Sequence, residues 1–257
     1  MLAEKFNTFL FDLDGVIYLE GKVLPGVLES LQQLREDQKH IRFLTNDPRP
    51  ERSEMAEKLR SIGIEVDQKE IVTSGWASAQ FLKQESIENV FVVGSQSLTT
   101  ELQNAGLICV TEDQAEAVVV GSDIDVGFRD VYMACMQIHG GAQFIATNVD
   151  PTFPTSKGPA PATGSVVAAI KTAVSRPPIV IGKPEAYMFD AALKGLDKTR
   201  AVMIGDTPES DIQGAINTGI ASVLVKSDQH NGHPASLENG HNADYTITSL
   251  RELFTRI

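Results

Sequence analysis

Phe9-Leu10-Phe11-Asp12-Leu13-Asp14-Gly15-Val16 indicates the fold class of this 257-residue chain. An apolar run that stops at two carboxylates and a glycine is typical of a buried strand with acidic groups at its carboxyl end. The helical spacing of Val27, Leu28, Leu31 and Leu34 predicts a crossover helix, and Ile41-Arg42-Phe43-Leu44 predicts the next strand. Together these segments predict a parallel βαβ unit whose strands end at the same edge of the sheet.

The alternation of strand-like and helix-like segments restarts at about residue 75 and returns to the first unit at about residue 179. We therefore expect an α/β protein in two parts. Residues 1–74 and 179–257 would form a Rossmann-like core with a parallel sheet, and residues 75–178 would form an inserted α/β cap domain. The segment 149–164 holds four prolines and two glycines, which predicts a long loop in the cap.

The composition argues against several classes of partner and location. The net charge of −12 disfavours binding to nucleic acid, which is itself negatively charged. The chain has only two cysteines, so we expect no disulfide framework and a reducing, cytoplasmic location. We find no basic segment followed by an apolar core at the amino terminus and no long apolar run, so we expect neither secretion nor a membrane partner. Whether the chain forms a homo-oligomer stays open.

Three predicted core strands each end in polar side chains, which are Asp12 with Asp14, Thr45 with Asn46, and Asp206 with Asp211. In a parallel sheet these ends share one edge, where open α/β folds bind their ligands. Carboxylates gathered there repel one another unless a cation lies among them, and an all-oxygen set is typical of Mg²⁺ sites completed by water and substrate phosphate. Lys183 adds a positive charge for a phosphoryl group. The pattern predicts a hydrolytic metal site.

Four motifs resemble, in order, those of the haloacid dehalogenase-like (HAD) phosphohydrolase superfamily. They are Asp12-Leu13-Asp14-Gly15-Val16, Leu44-Thr45-Asn46, Gly182-Lys183-Pro184, and Gly205-Asp206 with Asp211. The insert lies between the second and third motifs, which resembles the cap of subclass IIA, the branch with para-nitrophenylphosphatase-like, phosphoglycolate and sugar-phosphate phosphatases. Thr147-Asn148-Val149-Asp150 and Pro161-Ala162-Thr163-Gly164-Ser165 are similar to cap signatures of that branch.

The resemblance implies catalytic and metal-binding roles for the matching aspartates. Asp12 would be the nucleophile that attacks phosphorus. Asp14 would protonate the leaving oxygen and then activate the water that hydrolyses the aspartyl-phosphate. Mg²⁺ would be held by Asp12, by the backbone carbonyl of Asp14 and by Asp206. Asp211 would lie just behind these ligands.

The resemblance also implies which residues hold the substrate. Thr45, Asn46 and Lys183 would bind the phosphoryl group. In the cap, Asn148 and Asp150 either face the substrate or only shape a loop, and the sequence favours neither role.

Two residues depart from the family pattern. Asp47 stands where many relatives have Asn or Ser, which places an extra negative charge near the phosphate, and Ala162 replaces a common glycine. We expect such departures to affect the choice of substrate and not to remove the chemistry.

The resulting hypothesis is a Mg²⁺-dependent phosphatase that hydrolyses small phosphomonoesters of the sugar phosphate, phosphoglycolate or nucleotide class. The core would carry out the chemistry, and the cap would close over it and select the substrate. A non-catalytic sensor of a phosphorylated metabolite and a phosphotransferase are the alternatives, and the intact Asp12 and Asp14 argue against the sensor. His230, His233 and His241 lie in a Gly- and Asn-rich segment, which favours a flexible loop over a zinc site.

Overall fold

The computed structural model describes residues 1–153, 155, 157–226 and 242–256. The prediction for His230, His233 and His241 therefore lies outside the described residues. The strands are β1 Thr8–Asp12, β2 Tyr18–Leu19, β3 Lys22–Val23, β4 His40–Thr45, β5 Ile71–Thr73, β6 Asn89–Val93, β7 Ile108–Val110, β8 Ala117–Val120, β9 Gln143–Ala146, β10 Thr152–Phe153, β11 Ala160–Pro161, β12 Ile179–Val180, β13 Ala201–Gly205, β14 Ala221–Val225 and β15 Tyr245–Ile247. The α-helices are α1 Leu2–Lys5, α2 Val27–Glu36, α3 Arg52–Ser61, α4 Ser74–Gln84, α5 Gln96–Asn104, α6 Phe128–His139, α7 Thr163–Val174, α8 Ala186–Ala192 and α9 Gln213–Thr218.

The chain divides into two compact units. Unit 1 consists of Met1–Thr45, Ala56–Val72 and Lys183–Ile257, and unit 2 consists of Asn46–Met55 and Thr73–Gly182. Residues within each unit contact one another more than they contact the other unit, and this division assigns no function to either unit. The assignment of residues 1–74 and 179–257 to a catalytic core, and of 75–178 to a cap, stays a prediction.

The main sheet of unit 1 has the strand order β15-β14-β13-β1-β4-β5. Strand β1 pairs in parallel with β4 on one side and with β13 on the other. The chain thus runs outward from β1 in one direction, then returns and runs outward in the other. A crevice forms beside the carboxyl ends of the strands where the order reverses in this way, so the topology directs a ligand to the end of β1. The predicted α/β class and parallel sheet are confirmed.

The apolar run at the start of the chain is buried as its pattern predicts. Phe9, Leu10 and Phe11 are fully buried in the centre of the sheet. A strand covered on both faces is continuously apolar, which explains why the run does not alternate. Burial of each of these side chains stabilises the fold by about 1.5–3 kcal/mol. The end of β1 is therefore a rigid position for the residues that follow.

Unit 2 contains a second parallel sheet with the order β12-β9-β8-β6-β7. Helices α6 and α7 pack on it through a shared cluster that includes Val118, Val120 and Ile170. The strands predicted from the restart of the βα alternation are present. Strand β12, the segment Ile179–Val180, pairs with β9 in this sheet.

Two local predictions differ from the structure. The segment 149–164, expected to be a loop, contains a two-residue antiparallel ladder in which Thr152 lies opposite Pro161 and Phe153 opposite Ala160. Residues 248–254, whose pattern predicts a closing amphipathic helix with a Ser or Thr cap, contain instead a short 3₁₀ helix, Leu250–Phe254, that Ser249 caps through its side chain. Such a short segment favours the tighter 3₁₀ geometry over an α-helix.

Among the described residues, no helix has the length and apolar content needed to cross a bilayer.

Gly164 permits the close approach of α7 to the preceding loop. Its N–H donates to the Asp150 carbonyl at 2.9 Å. A Cβ atom at position 164 would lie 2.3 Å from the Val149 carbonyl oxygen and 2.8 Å from that of Asp150. These neighbours are backbone atoms, so a side chain at this position would push the loop away from the helix.

We predict that Gly164→Ala destabilises the protein by about 1–3 kcal/mol, because the overpacking cost exceeds the gain in helix propensity of about 1 kcal/mol. Urea unfolding followed by circular dichroism measures the change. The control is Lys171→Ala on the exposed side of the same helix, for which we expect a change within about 0.5 kcal/mol. A Gly164→Ala protein as stable as the wild type would contradict the close approach.

Candidate active site

A buried lysine joins two of the predicted aspartates. The Lys183 ammonium donates to Oδ1 of Asp12 at 2.7 Å and to Oδ1 of Asp211 at 2.6 Å. The Lys183 side chain is 3% exposed, that of Asp211 is fully buried and that of Asp12 is 14% exposed. Hydrogen bonds between ionised groups in such a dry environment are short and strong. Lys183 therefore fixes the orientation of the Asp12 carboxylate at the end of β1.

The segment after β13 supplies Asp206 and Asp211, and Asp211 lies in the π-helical turn Pro208–Ile212. Asp206 follows the last residue of this strand, and its Oδ1 accepts from the Thr207 hydroxyl at 3.2 Å. The Thr207 N–H donates to Oδ2 of Asp211 at 3.1 Å. Gly205 makes room for this arrangement, since a Cβ atom there would lie 2.2 Å from Cβ of Asp211. The hydrogen bonds of Thr207 and the missing side chain at Gly205 therefore position Asp206 and Asp211.

Asp12, Asp206 and Asp211 form an acidic cluster that can hold a metal ion. Each offers a carboxylate oxygen within 4.8 Å of the others. When all three are ionised, the single charge of Lys183 leaves two negative charges uncompensated. A divalent cation would neutralise them, and an all-oxygen donor set suits a hard cation. The residues present therefore fit a divalent metal.

The electrostatics of the cluster support the same conclusion. Burial and the nearby Asp206 raise the pKa of the Asp12 carboxyl to about 6, although the attraction of Lys183 lowers it. Burial likewise raises the pKa of Asp211 to about 6, with Asp12 adding to the effect. Burial alone would lower the pKa of Lys183, but the two adjoining carboxylates raise it above its ordinary value. A bound cation would favour the ionised carboxylates that chemistry at phosphorus requires.

Asp14 lies in the turn between β1 and the hairpin of β2 and β3. Its side chain is exposed, in contrast to that of Asp12. The Tyr18 hydroxyl donates to Oδ2 of Asp14 at 3.3 Å, and the Lys58 ammonium donates to the same hydroxyl at 3.0 Å. Neither Tyr18 nor Lys58 was assigned a functional role from the sequence, because an aromatic residue near a turn and a lysine on a helix are common.

Thr45 is the last residue of β4 and is buried. Leu44, the residue before it, lies opposite Asp12 in the register of the sheet. The structure thus places Thr45 at the same edge as the aspartate, as the parallel βαβ unit predicts.

Asn46, Asn148 and Asp150 come together within unit 2. The Asn46 side chain donates to Oδ2 of Asp150 at 3.0 Å, and the Asn148 side chain donates to the Asn46 carbonyl at 2.6 Å. Asn148 is buried, and its Oδ1 accepts from the Asp150 N–H at 3.0 Å. These contacts show that Asn148 shapes the loop that carries Asp150.

The extra charge at Asp47 is paired within its own loop. The Arg49 guanidinium donates to both carboxylate oxygens of Asp47 at 2.8 Å. Arg49 also stacks on Phe153, with its central carbon 4.2 Å from the ring centroid. Arg49 was not identified from the sequence, although a cation two residues after the acid is a usable signal. Ala162 precedes the first residue of α7 in an extended conformation open to any residue, so nothing there requires a glycine.

Comparison with known proteins supports the family that the motifs indicate. Residues 9–108 match the family described as haloacid dehalogenase-like hydrolase, and residues 180–253 match a HAD-hydrolase-like family. The dihydroxyacetone phosphatase of Corynebacterium glutamicum (strain R) is 38% identical over 223 residues, which is 86% of this chain and 81% of that protein.

Solved structures show the same likeness over almost the whole chain. A p-nitrophenyl phosphatase from Archaeoglobus fulgidus superposes with a TM-score of 0.90 at 32% identity, covering 97% of this chain and 98% of that one. A glycerol phosphate phosphatase from Mycobacterium tuberculosis, in complex with magnesium, superposes with a TM-score of 0.87 at 32% identity, covering 98% of this chain and 77% of that one. The prediction of a phosphatase similar to subclass IIA is confirmed, and the chain belongs to the haloacid dehalogenase-like hydrolase family.

Proposed function

We propose that this protein is a Mg²⁺-dependent phosphatase that hydrolyses small phosphomonoesters through an aspartyl-phosphate on Asp12. The observation that carries the proposal is the buried Lys183, which orients Asp12 beside two further carboxylates, Asp206 and Asp211. A cytoplasmic location stays a prediction.

Mg²⁺ would be held by the carboxylates of Asp12 and Asp206 and by the backbone carbonyl of Asp14. Asp211 already accepts from Lys183 and from the Thr207 N–H, which supports a place behind the direct ligands. When bound, the ion would neutralise negative charge on the carboxylates and on the phosphoryl oxygens.

The first half of the reaction transfers the phosphoryl group to the protein. A carboxylate oxygen of Asp12 forms a bond to phosphorus, and the bond between phosphorus and the ester oxygen breaks. Asp14 gives its proton to that oxygen, so the product leaves as a neutral alcohol. Lys183 keeps Asp12 oriented for the attack, which saves the entropy of arranging a mobile nucleophile.

The second half regenerates the protein. Asp14, now ionised, takes a proton from water, and the water oxygen forms a bond to phosphorus. The bond between phosphorus and the Asp12 oxygen breaks, which releases inorganic phosphate and restores both side chains. One group thus serves as acid and then as base, and its protonation state is the same at the start and end of the cycle.

The residues proposed to hold the phosphoryl group are Thr45, Asn46 and Lys183. The hydroxyl, the amide and the ammonium group are donors suited to the phosphoryl oxygens. Residues 75–178 are proposed to form the cap that selects the substrate, and the loop with Asp150 and the Arg49–Phe153 stack are the polar and aromatic features from which selectivity would come.

The names of the relatives suggest a substrate class. Dihydroxyacetone phosphatase and glycerol phosphate phosphatase both refer to three-carbon phosphates. We therefore propose that this protein acts on phosphate esters of small polyols and sugars in preference to nucleotides.

Asp12→Asn tests the nucleophile. We expect phosphate release from 4-nitrophenyl phosphate with Mg²⁺ to fall at least about a thousandfold, because an amide does not attack phosphorus. EDTA should abolish the wild-type activity, and excess Mg²⁺ should restore it. The matched control is Asp190→Asn, an exposed aspartate that pairs with Lys198, which should stay fully active. Equal rates in Mg²⁺ and EDTA, or an active Asp12→Asn protein of native circular dichroism, would refute the proposal.

Asp14→Asn and Asp206→Asn separate proton transfer from metal binding. Asp14 lends the metal only its backbone carbonyl, so we expect its variant to bind Mg²⁺ within about threefold of the wild type while losing turnover. Asp206→Asn removes a direct ligand and should weaken Mg²⁺ binding by at least about tenfold, since even the loss of a residue behind the ligands typically costs about 10–100-fold. Isothermal titration calorimetry with Mg²⁺ alone measures both. Comparable losses of affinity in the two variants would show that this division of roles is wrong.

A panel of phosphate esters tests the substrate class. We expect kcat/KM for dihydroxyacetone phosphate, glycerol phosphate or small sugar phosphates to exceed that for nucleoside monophosphates by at least about tenfold, equivalent to about 1.4 kcal/mol of differential transition-state binding. The panel includes phosphoglycolate, and all assays contain saturating Mg²⁺. A nucleotide preferred over every three-carbon ester would contradict the assignment.

A further inference from the structure

We propose that Tyr18 is a positioning residue for Asp14 and that Lys58 holds the Tyr18 hydroxyl in the orientation this requires. The proposal rests on the proposed function, because it concerns how the proton reaches the leaving oxygen. It adds two residues to the proton-transfer step that lie outside the four sequence motifs.

The three groups form a continuous chain of polar contacts in unit 1. Lys58 Nζ lies 3.0 Å from the Tyr18 hydroxyl oxygen, which lies 3.3 Å from Oδ2 of Asp14. Lys58 Nζ also lies 4.4 Å from the centroid of the Tyr18 ring, within the range of a cation–π interaction. Helix α3 therefore holds the ring of Tyr18 by two contacts with a single side chain.

The direction of these hydrogen bonds follows from the inventory of donors. An ammonium group only donates, so the Tyr18 hydroxyl must act as the acceptor from Lys58. The hydroxyl proton is then available to Asp14, whose carboxyl oxygen accepts it. Lys58 thus determines which way the hydroxyl points. At 3.3 Å the second bond is long, as hydrogen bonds in active sites often are before the substrate binds.

Asp14 and Tyr18 lie in one turn that is held by backbone hydrogen bonds. The Gly15 N–H donates to the Tyr18 carbonyl at 2.8 Å, and the Tyr18 N–H donates to the Leu13 carbonyl at 3.2 Å. Asp14 and Tyr18 form an isolated bridge across this turn. Tyr18 then begins the β2–β3 hairpin, and its ring is buried with 1% exposure. The hydroxyl is therefore presented from a fixed point.

An exposed carboxyl group that transfers a proton needs a contact that restrains its orientation. Asp14 is exposed, whereas Asp12 is held by Lys183. A bond at Oδ2 fixes the plane of the Asp14 carboxyl group and hence the position of Oδ1. Proton transfer depends steeply on this geometry, since a misplacement of about 1 Å costs on the order of a hundredfold in rate. Through its hydroxyl, Tyr18 supplies to Asp14 a restraint like the one that Lys183 supplies to Asp12.

A leaving-group comparison distinguishes this role from a structural one. Phenol is a weaker acid than 4-nitrophenol, so the departure of phenol depends more on a proton from Asp14, although the two esters are similar in size. The value of kcat/KM depends on the steps up to and including departure of the phenol or 4-nitrophenol leaving group. We expect Tyr18→Phe to lower kcat/KM by about tenfold for phenyl phosphate and by less than about threefold for 4-nitrophenyl phosphate. Lys58→Met should produce the same selective loss at a smaller size, about threefold for phenyl phosphate.

The assays use the full-length protein with saturating Mg²⁺. The matched controls are Tyr132→Phe, at an exposed position of α6, and Lys194→Met, at an exposed turn. Both should leave the ratio of the two kcat/KM values unchanged. Equal losses for the two esters, or no loss, in Tyr18→Phe would overturn the proposal. Should Tyr18→Phe not fold, Lys58→Met decides by the same criterion. A wild-type protein inactive on both esters would instead refute the proposed function.

Discussion

The buried ammonium group of Lys183 is the interaction on which the candidate site depends. It bonds to Asp12 and Asp211, which lie 171 and 28 positions away in the chain. Removing one partner of such a buried ion pair typically costs about 3–5 kcal/mol, because the remaining charge is left without compensation. With Lys183 in place, the carboxylates of Asp12, Asp206 and Asp211 gather in a small volume, and the negative charge that remains suits a divalent cation. The contacts of Lys183 therefore both order the site and leave negative charge that a divalent cation would neutralise.

The topology of the sheet brings these distant residues to one edge. Because β1 lies between β4 and β13 and all three run parallel, the residues that end the strands emerge on the same side. The strongly buried Phe9–Leu10–Phe11 run makes this edge rigid. The two aspartates that follow then differ in environment. Asp12 is held by a charge in a nearly dry position, whereas Asp14 is exposed and contacts a tyrosine hydroxyl. This difference matches the different roles proposed for them.

Much of this arrangement could be predicted from the sequence, and the exceptions have physical reasons. Runs of apolar residues that end at glycine and polar residues predict strands such as β1 and β13, since these signals are local. The Lys183–Asp211 contact and the Lys58–Tyr18–Asp14 chain join residues from different elements, and the direction in which each side chain points is not encoded locally. Asp47 appeared as an uncompensated charge because its partner Arg49 was not considered with it. The β10–β11 ladder escaped prediction because prolines usually mark irregular structure, although Pro161 is tolerated in so short a ladder.

The proposed mechanism requires Asp12 to become covalently bonded to phosphorus. The most direct measurement is an acid quench of Asp14→Asn protein shortly after it is mixed with radiolabelled 4-nitrophenyl phosphate and Mg²⁺, followed by peptide mapping. This ester needs little help from an acid to lose its leaving group, whereas hydrolysis of the intermediate requires the missing base. We predict that label accumulates on the peptide containing Asp12 and is released by hydroxylamine, as expected of an acyl phosphate. Label on another residue, or turnover without any labelled protein, would contradict the proposed mechanism.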